Sequence, residues 1–437
     1  MNKKADAIII GAGVIGSAIS FELAKRGYKT LNIDKLPTSG YGSTSNSCAI
    51  VRASYSTWEG VAMAYEGFFY WDDWENYLGV KDERGMIKYM KTGSILIKLQ
   101  GEDHSKKSLK FFKEIGVEHE IWDLEKLKEK MPIYSHDQYD GTTRPDEDDN
   151  FWEKSGKKIE GAVFTPGAGY VSDPQLSSHN LQVATEAYGG KFLFNCEIVE
   201  IRQVNGKVIG VKLKNGEEID TPIIVNVAGP HSFIINKMAG VEDEMNIKTR
   251  ALRHEVHHIP SPEGFDFEKD GYHTSDNDNG IYFRPETGNT ILIGSEDPKC
   301  DVQEWISDPD NYNNQITESQ WEAQVYRCAR RIPELKIPSR SRGVVDLYDV
   351  SDDWIPIYDK SVLGGFYMAI GTSGNQFKNA PVAGHCMAEL IDSCEKGHDH
   401  DSNPLKVKTV YTGLELNMGF YSRNRKINPN SSFSVNG

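Results

Sequence analysis

The stretch from Ala7 to Asp34, "AIIIGAGVIGSAISFELAKRGYKTLNID", leaves few folds open. Ala7–Ile10 is an apolar strand, and Ile15, Ile19 and Leu23 recur at helical spacing up to Lys25 and Arg26. Gly27 stops the helix, and Thr30–Ile33 reads as a second strand. A strand, a helix and a second strand in so short a span form a parallel βαβ unit. Gly11, Gly13 and Gly16 stand in G-x-G-x-x-G spacing between strand and helix. In that pattern the first glycine permits the tight turn and the second lets backbone approach a pyrophosphate. The third lets the helix pack on the strand. Val14 and Ile15 open the helix, whose N-terminus faces the phosphates. Asp34, followed by Lys35, ends the second strand and is placed to accept a bond from a ribose hydroxyl. A bound dinucleotide is expected. The acid argues against a 2′-phosphate, and the motif alone suits NAD and FAD equally.

Further along, "PIIVNVAG" is a continuous apolar strand suited to a buried parallel sheet. "VNGKV" and "KNGEE" are Asn-Gly hairpin turns. The region 247–300 reads as antiparallel strands, and Leu176–Tyr188 and Gln315–Ile332 as helices. Charged residues fill Asp137–Lys158, which is expected to be a surface loop, and the polar tail after Arg423 is expected to fray or link. "GFYMAIGTSGNQFKNAPVAGHCMAELI" gives a strand, a glycine-containing loop and a helix. The fold class expected is α/β (α+β): a Rossmann-like nucleotide domain interleaved with a domain on a mostly antiparallel sheet. The nucleotide domain is assigned 1–85, 160–245 and 345–437, and the other 86–159 and 246–344.

A net charge of −15 over 437 residues repels nucleic acid while leaving room for a local cationic pocket. No run of 18 apolar residues occurs, so no membrane span is expected. The apolar run near the N-terminus is too short for a signal peptide and is needed as a strand. None of the six cysteines forms a C-x-x-C pair, so neither zinc nor a disulfide framework is expected, and all six read as buried small residues. A cytoplasmic protein is expected.

"GSTSNSCAIVRASY", "GYVSDPQL", "IIVNVAGPHS", "GIYFRPETGNTILIGSED", "VVDLYDVSDDWIPIYD" and "GFYMAIGTSGNQFKNAPVAG" follow the first motif in order. Together these segments resemble the D-amino-acid oxidase superfamily of flavoproteins, its sarcosine oxidase and dimethylglycine dehydrogenase branch above all. The resemblance implies FAD rather than NAD, and oxidation of a carbon next to an amine nitrogen by hydride transfer, with hydrolysis of the imine product. It implies a small amino-acid substrate with a carboxylate, and O₂ or an electron-transfer partner as acceptor. Gly11, Gly13, Gly16 and Asp34 match the family's ADP-binding positions. Ser43 and Thr44 match residues along the pyrophosphate and flavin, Val199 a residue whose backbone meets adenine, and Ala228 and Gly229 a second FAD-contacting turn. Gly374, Asn375, Gln376, Phe377 and Lys378 match a loop whose backbone meets the flavin's pyrimidine edge. Arg52 and Lys378 match the arginine and lysine that hold the substrate carboxylate; a structural salt bridge and a solvated lysine are the plain alternatives. Tyr282, Arg284, His254 and His258 lie on strands of the second sheet, where one or two are expected to line a pocket. His257 and His258, adjacent on a strand, must face opposite ways.

The chain also departs from the family. Asp346 stands near the cysteine that tethers FAD in monomeric sarcosine oxidases, and the early tract lacks the tethering histidine of dimethylglycine dehydrogenases, so noncovalent FAD is expected. Leu292 stands where those oxidases carry an oxygen-activating lysine, which points toward another acceptor. Tyr348 replaces an arginine common in glycine and D-amino-acid oxidases, favouring an N-methylglycine-like substrate. Oxidation of D-amino acids, glycine or proline is the alternative within the family. A flavoprotein subunit of an electron-transfer complex is the alternative of another class.

Overall fold

The computed structural model describes residues 3–101, 104–139 and 141–437. Ala7–Ile10, Val14–Lys25 and Thr30–Ile33 form the βαβ unit read from the sequence. Its two strands sit in a six-stranded sheet ordered Lys191–Leu193, Thr30–Ile33, Ala7–Ile10, Ile224–Asn226, Phe366–Ile370 and Ile357–Lys360. All neighbours are parallel except the last pair. Helix Val14–Lys25 packs against helices Pro174–Ala187 and Ala380–Glu395. Ala7 and Ile9 join the core on that side, while Ile8 and Ile10 join a second core with Ile198, Val211 and Ile219. Both faces of the sheet are covered, which is why its central strands Ala7–Ile10 and Phe366–Ile370 are buried at every position without alternation.

The second core lies under a four-stranded sheet that includes Ile198–Val204 and Lys207–Leu213. Asn205 and Gly206 join these two strands with φ of 49° and 72°, the mirror-image turn that Asn-Gly favours.

A nine-stranded, mostly antiparallel sheet forms the other half. Near one edge runs the long strand Thr249–Pro260, paired with Thr290–Ser295 on one side and with Gly343–Ser351 on the other. Gly161–Thr165 and Gly343–Ser351 both run in this sheet, so the expected divisions at 160 and 345 do not follow the sheets there. A three-stranded patch, Ile50–Val51, Gly169–Val171 and Tyr89–Met90, carries the small-residue tract across the junction.

The segment 137–158 is a surface loop in part only. Tyr139, Arg144 and Phe151 are buried, and Arg144 binds Asp146 and Asp301; Asp140 lies outside the described residues. The tail after Arg423 does not fray. Arg423 is buried against Asp359 and Asp401, Arg425 binds Asp353, and Ser431, Ser434, Val435 and Asn436 are buried. Its polar residues satisfy one another through short-range bonds such as Ser434 N to Ser432 Oγ, so the segment packs without an apolar pattern. Three cysteines, Cys48, Cys328 and Cys386, are buried, while Cys196, Cys300 and Cys394 are half-buried, and none is paired. No helix among the described residues is long and apolar enough to cross a membrane.

Candidate active site

The parallel strands Ala7–Ile10, Ile224–Asn226 and Phe366–Ile370 end at one side of their sheet, where open α/β sheets hold ligands. The loops that follow them meet the large sheet there. Between the two lies a cavity of about 1330 Å³ including its open mouth, walled by Gly13–Gly16, Ser43, Thr44, Asn46–Ile50, Arg52 and the loop 374–378. The large sheet contributes His254, Val256, His273, Ser275, Tyr282 and Tyr348.

At the nucleotide end, Gly11 has φ +119°, and a Cβ there would lie 2.4 Å from the Val227 carbonyl oxygen. A Cβ on Gly16 would lie 2.5 Å from the Gly11 carbonyl oxygen. Both positions demand glycine for closeness of backbone. The helix starts at Val14 with no side chain of its own N-cap bonded to it, so its first N–H groups face the cavity with the positive end of the helix dipole. One of them, Val14 N, donates to Thr44 Oγ1 at 3.1 Å. Asp34 receives Ala12 N at 2.7 Å and Leu36 N at 2.9 Å, which clamps the glycine turn, and burial pushes its carboxyl up.

At the other end two cations are buried. Arg52 is 6% exposed and donates to the carbonyls of Ser54 and, at 2.7 Å, Val435. Lys378 is 3% exposed and donates to Tyr55 Oη at 3.0 Å and to the Asn375 carbonyl at 2.7 Å. The Tyr55 ring holds the Arg52 guanidinium 4.9 Å and the Lys378 ammonium 5.1 Å from its centre. Among the described residues neither cation has a carboxylate within ion-pair distance. Burial, and then the charge of Arg52, pushes Lys378 well below the usual lysine range. Burial likewise lowers Arg52. A buried charge without a counter-ion is costly, and an anion entering between the two would relieve both.

Of the expected residues, Gly13, Val14, Ile15, Gly16, Ser43, Thr44, Gly229, Gly374, Asn375, Gln376, Phe377, Lys378, Arg52, Tyr282 and His254 lie on this one wall. Gly11, Asp34, Lys35, Ala228 and Val199 do not. Gly11 packs behind the turn, and Ala228 N is held by Asn226 Oδ1 at 3.2 Å. Lys35 meets His231 Nε2 at 2.8 Å and pairs with Asp310. Val199 sits on the four-stranded sheet and is 42% exposed. Arg284 is spent on the Cys48 carbonyl, Glu286 and the Tyr170 ring. His258 is half-buried and lies off the wall, whereas its neighbour His257 is fully buried, as opposite faces require.

His273, Ser275 and Val435–Asn436 were not anticipated on this wall. His273 and Ser275 alternate on one short strand, a signal visible in the sequence only once the strand's sheet is known. Nothing in the tail's polar composition marks it as a cavity wall. Cys48, read as an inert small residue, places its Sγ 3.2 Å from Tyr282 Oη.

The chain is similar to several known enzymes. "Sarcosine oxidase subunit beta" of Rhodobacter capsulatus is 24% identical over 404 residues, covering 89% of this chain and 85% of the relative. "Monomeric sarcosine oxidase" of a Bacillus species is 24% identical over 424 residues, covering 91% and 96%. Among solved structures, L-proline dehydrogenase from P. horikoshii superposes with a TM-score of 0.75 at 21% identity, covering 97% of this chain and 98% of that one. Glycine oxidase from Geobacillus kaustophilus gives 0.71 at 19%, covering 98% and 100%. The family model described as "DAO: FAD dependent oxidoreductase" matches residues 6–390. The chain belongs to the DAO family of FAD-dependent oxidoreductases, enzymes that oxidise amines and amino acids.

Proposed function

We propose that this enzyme oxidises the C–N bond of a small secondary or tertiary amino acid resembling N-methylglycine, with the substrate carboxylate held between Arg52 and Lys378. The observation that carries the reading is the pair of buried basic groups with no carboxylate within ion-pair distance among the described residues. Two converging donors suit a carboxylate, and arginine offers it a fork.

The cavity fits FAD. Asn375 Nδ2 is buried in the wall without a hydrogen-bond partner, a donor free for a ligand acceptor. The first turn of helix Val14–Lys25 and the hydroxyls of Ser43 and Thr44 would hold the pyrophosphate, and the loop Gly374–Lys378 the ring. Bound there, FAD would supply the acceptor for a hydride from the substrate carbon. The protein's part is orientation: Arg52 and Lys378 fix one end of the substrate while Tyr282, Tyr348 and His254 wall the other. The portion built on the six-stranded sheet binds FAD in this reading, and the nine-stranded sheet supplies the substrate wall. Attachment is noncovalent: Cys48, the one thiol on the cavity wall, is taken up by Tyr282, and burial pushes it above the usual thiol range.

Leu292 is buried in an apolar cluster with Tyr282, Val256 and Val435. An aliphatic side chain there supports an acceptor other than O₂. Six unpaired thiols support a cytoplasmic setting. The test is an anaerobic flavin-reduction screen over N-methyl, D- and L-amino acids, followed by peroxide yield in air. Bleaching by N-methylglycines with little peroxide is expected. Bleaching by D-alanine or proline alone would replace the substrate assignment, and rapid stoichiometric peroxide would replace the acceptor assignment.

A further inference from the structure

His254 stands between two cavities. It lines the main one and also a polar chamber whose walls include Arg144, Glu147, Asp297 and Glu304. That chamber reaches the surface at Val302, which is 86% exposed. The imidazole lies flat against Tyr348, ring centres 4.0 Å apart and planes 20° from parallel. Its Nε2 is 3.0 Å from Asp297 Oδ1.

Asp297 is built for this contact. It follows the strand Thr290–Ser295 in the left-handed region, with φ 54°, and its N–H donates to Ser295 Oγ at 3.1 Å. Its side chain is 7% exposed, and Oδ2 has no hydrogen-bond partner. Three other acids nearby are paired: Asp301 with Arg144 and Arg327, Glu304 and Glu255 with Arg253. Asp297 has only His254 as an ion-pair partner among the described residues. A carboxylate has no hydrogen to give, so the tautomer that suits this contact carries its proton on Nε2 and leaves the lone pair on Nδ1. No described residue hydrogen-bonds Nδ1. An acid that fixes a histidine tautomer in this way produces an oriented base.

We propose that Asp297 is a positioning residue that makes His254 the general base for the substrate nitrogen. The assignment rests on the reading that the substrate is an amine. The ammonium N–H bond breaks and its electron pair stays on nitrogen, which readies the adjacent carbon to lose hydride. The proton bonds to Nδ1, and the imidazolium is stabilised by Asp297. Hydride loss leaves an iminium; water adds to it and gives one proton to solvent, Nδ1 returns its proton to the nitrogen, and the C–N bond breaks as the hydroxyl proton passes to the departing amine, leaving an aldehyde. The dyad ends as it began. Other ionisable groups near the ring are Asp346, opposite His254 in strand register, and Tyr348, Tyr282, Arg52 and Lys378 on the cavity wall. Arg253 and Glu255 flank it along the strand, and Arg144 and Glu147 line the far chamber.

The test uses FAD-loaded enzyme and the Asp297→Asn and His254→Gln variants. ¹⁵N NMR of histidine-labelled protein is expected to show the Nε2–H tautomer of His254, shifted toward Nδ1–H by Asp297→Asn. With a reducing amine, Asp297→Asn is expected to slow anaerobic flavin reduction roughly 10²-fold near neutral pH, within the range general bases supply. The loss should shrink as rising pH supplies free amine, and substrate affinity should stay within about threefold. The two variants combined should cost no more than either alone, as residues acting in one unit do. A proton on Nδ1 in the unaltered enzyme, or a rate loss constant with pH, would overturn the proposal. If no amine reduces the flavin, the substrate reading fails, while the tautomer measurement still decides the dyad.

Discussion

Arg52→Ala removes a guanidinium that is 6% exposed and, among the described residues, has no carboxylate within ion-pair distance. In the free enzyme its guanidinium is held by the carbonyls of Ser54 and Val435 and the Tyr55 ring. The substrate carboxylate is the ion that completes the site, so the variant leaves that carboxylate facing Lys378 alone. Truncating one member of a desolvated, hydrogen-bonded ion pair costs about 2–5 kcal/mol. The remaining lysine holds the loss toward the lower part, about 2–4 kcal/mol, or roughly 30- to 700-fold in affinity at about 1.4 kcal/mol per tenfold. The assay is anaerobic titration of flavin absorbance with N-methylglycine and with a carboxylate that cannot be oxidised. The same loss should appear for both ligands, and an amine lacking a carboxylate should bind equally to both enzymes. Because Val435 also loses a donor, a thermal melt of each protein separates loosening of the tail from loss of the anchor. Dissociation constants for both carboxylates within threefold of the unaltered enzyme would refute the assignment.

Carboxylate binding should draw a proton into the protein. Lys378 is held well below its usual range by burial and Arg52, and a bound anion raises it, so affinity falls as pH rises. Calorimetry in buffers of different ionisation heat reads that uptake, and its absence in Lys378→Met identifies the group. Glu296, pushed up to about 8 by burial, is protonated in the folded state. Its contribution is fully present below its unfolded value and is lost as pH climbs toward 8, so melting temperature should decline across that window. Glu296→Gln should flatten the decline, as scanning calorimetry at several pH values would show. Gly16→Ala places a Cβ 2.5 Å from the Gly11 carbonyl oxygen and should yield protein with markedly less bound FAD, read from the ratio of 450 nm to 280 nm absorbance at roughly neutral pH.

The nucleotide end of the site was legible because it is local. Strand, turn, helix and acid lie within 28 residues, Ala7 to Asp34, and the backbone path between them is set by steric rules that glycine spacing reveals directly. Alternation and apolar runs likewise disclosed both sheets, since burial on one face or two writes itself into each strand. The carboxylate end needed tertiary structure. Arg52, His254, Tyr282, Lys378 and Val435 are distant in sequence and converge only when the large sheet docks on the parallel one.

The tail shows the limit most plainly: its serines and asparagines read as solvent-facing, yet Val435 gives its carbonyl to Arg52. Local hydrogen bonds hold that segment, and they leave no periodic pattern. The partner of His254 was hidden for the same reason. Asp297 is one acid among 64 in the chain, and only the left-handed turn after its strand aims it at the imidazole. Sequence by itself determined the βαβ unit and the demand for a dinucleotide, because those follow from short-range geometry. Tertiary structure alone decided which charges go unpaired, because pairing depends on what distant segments bring within about 4 Å.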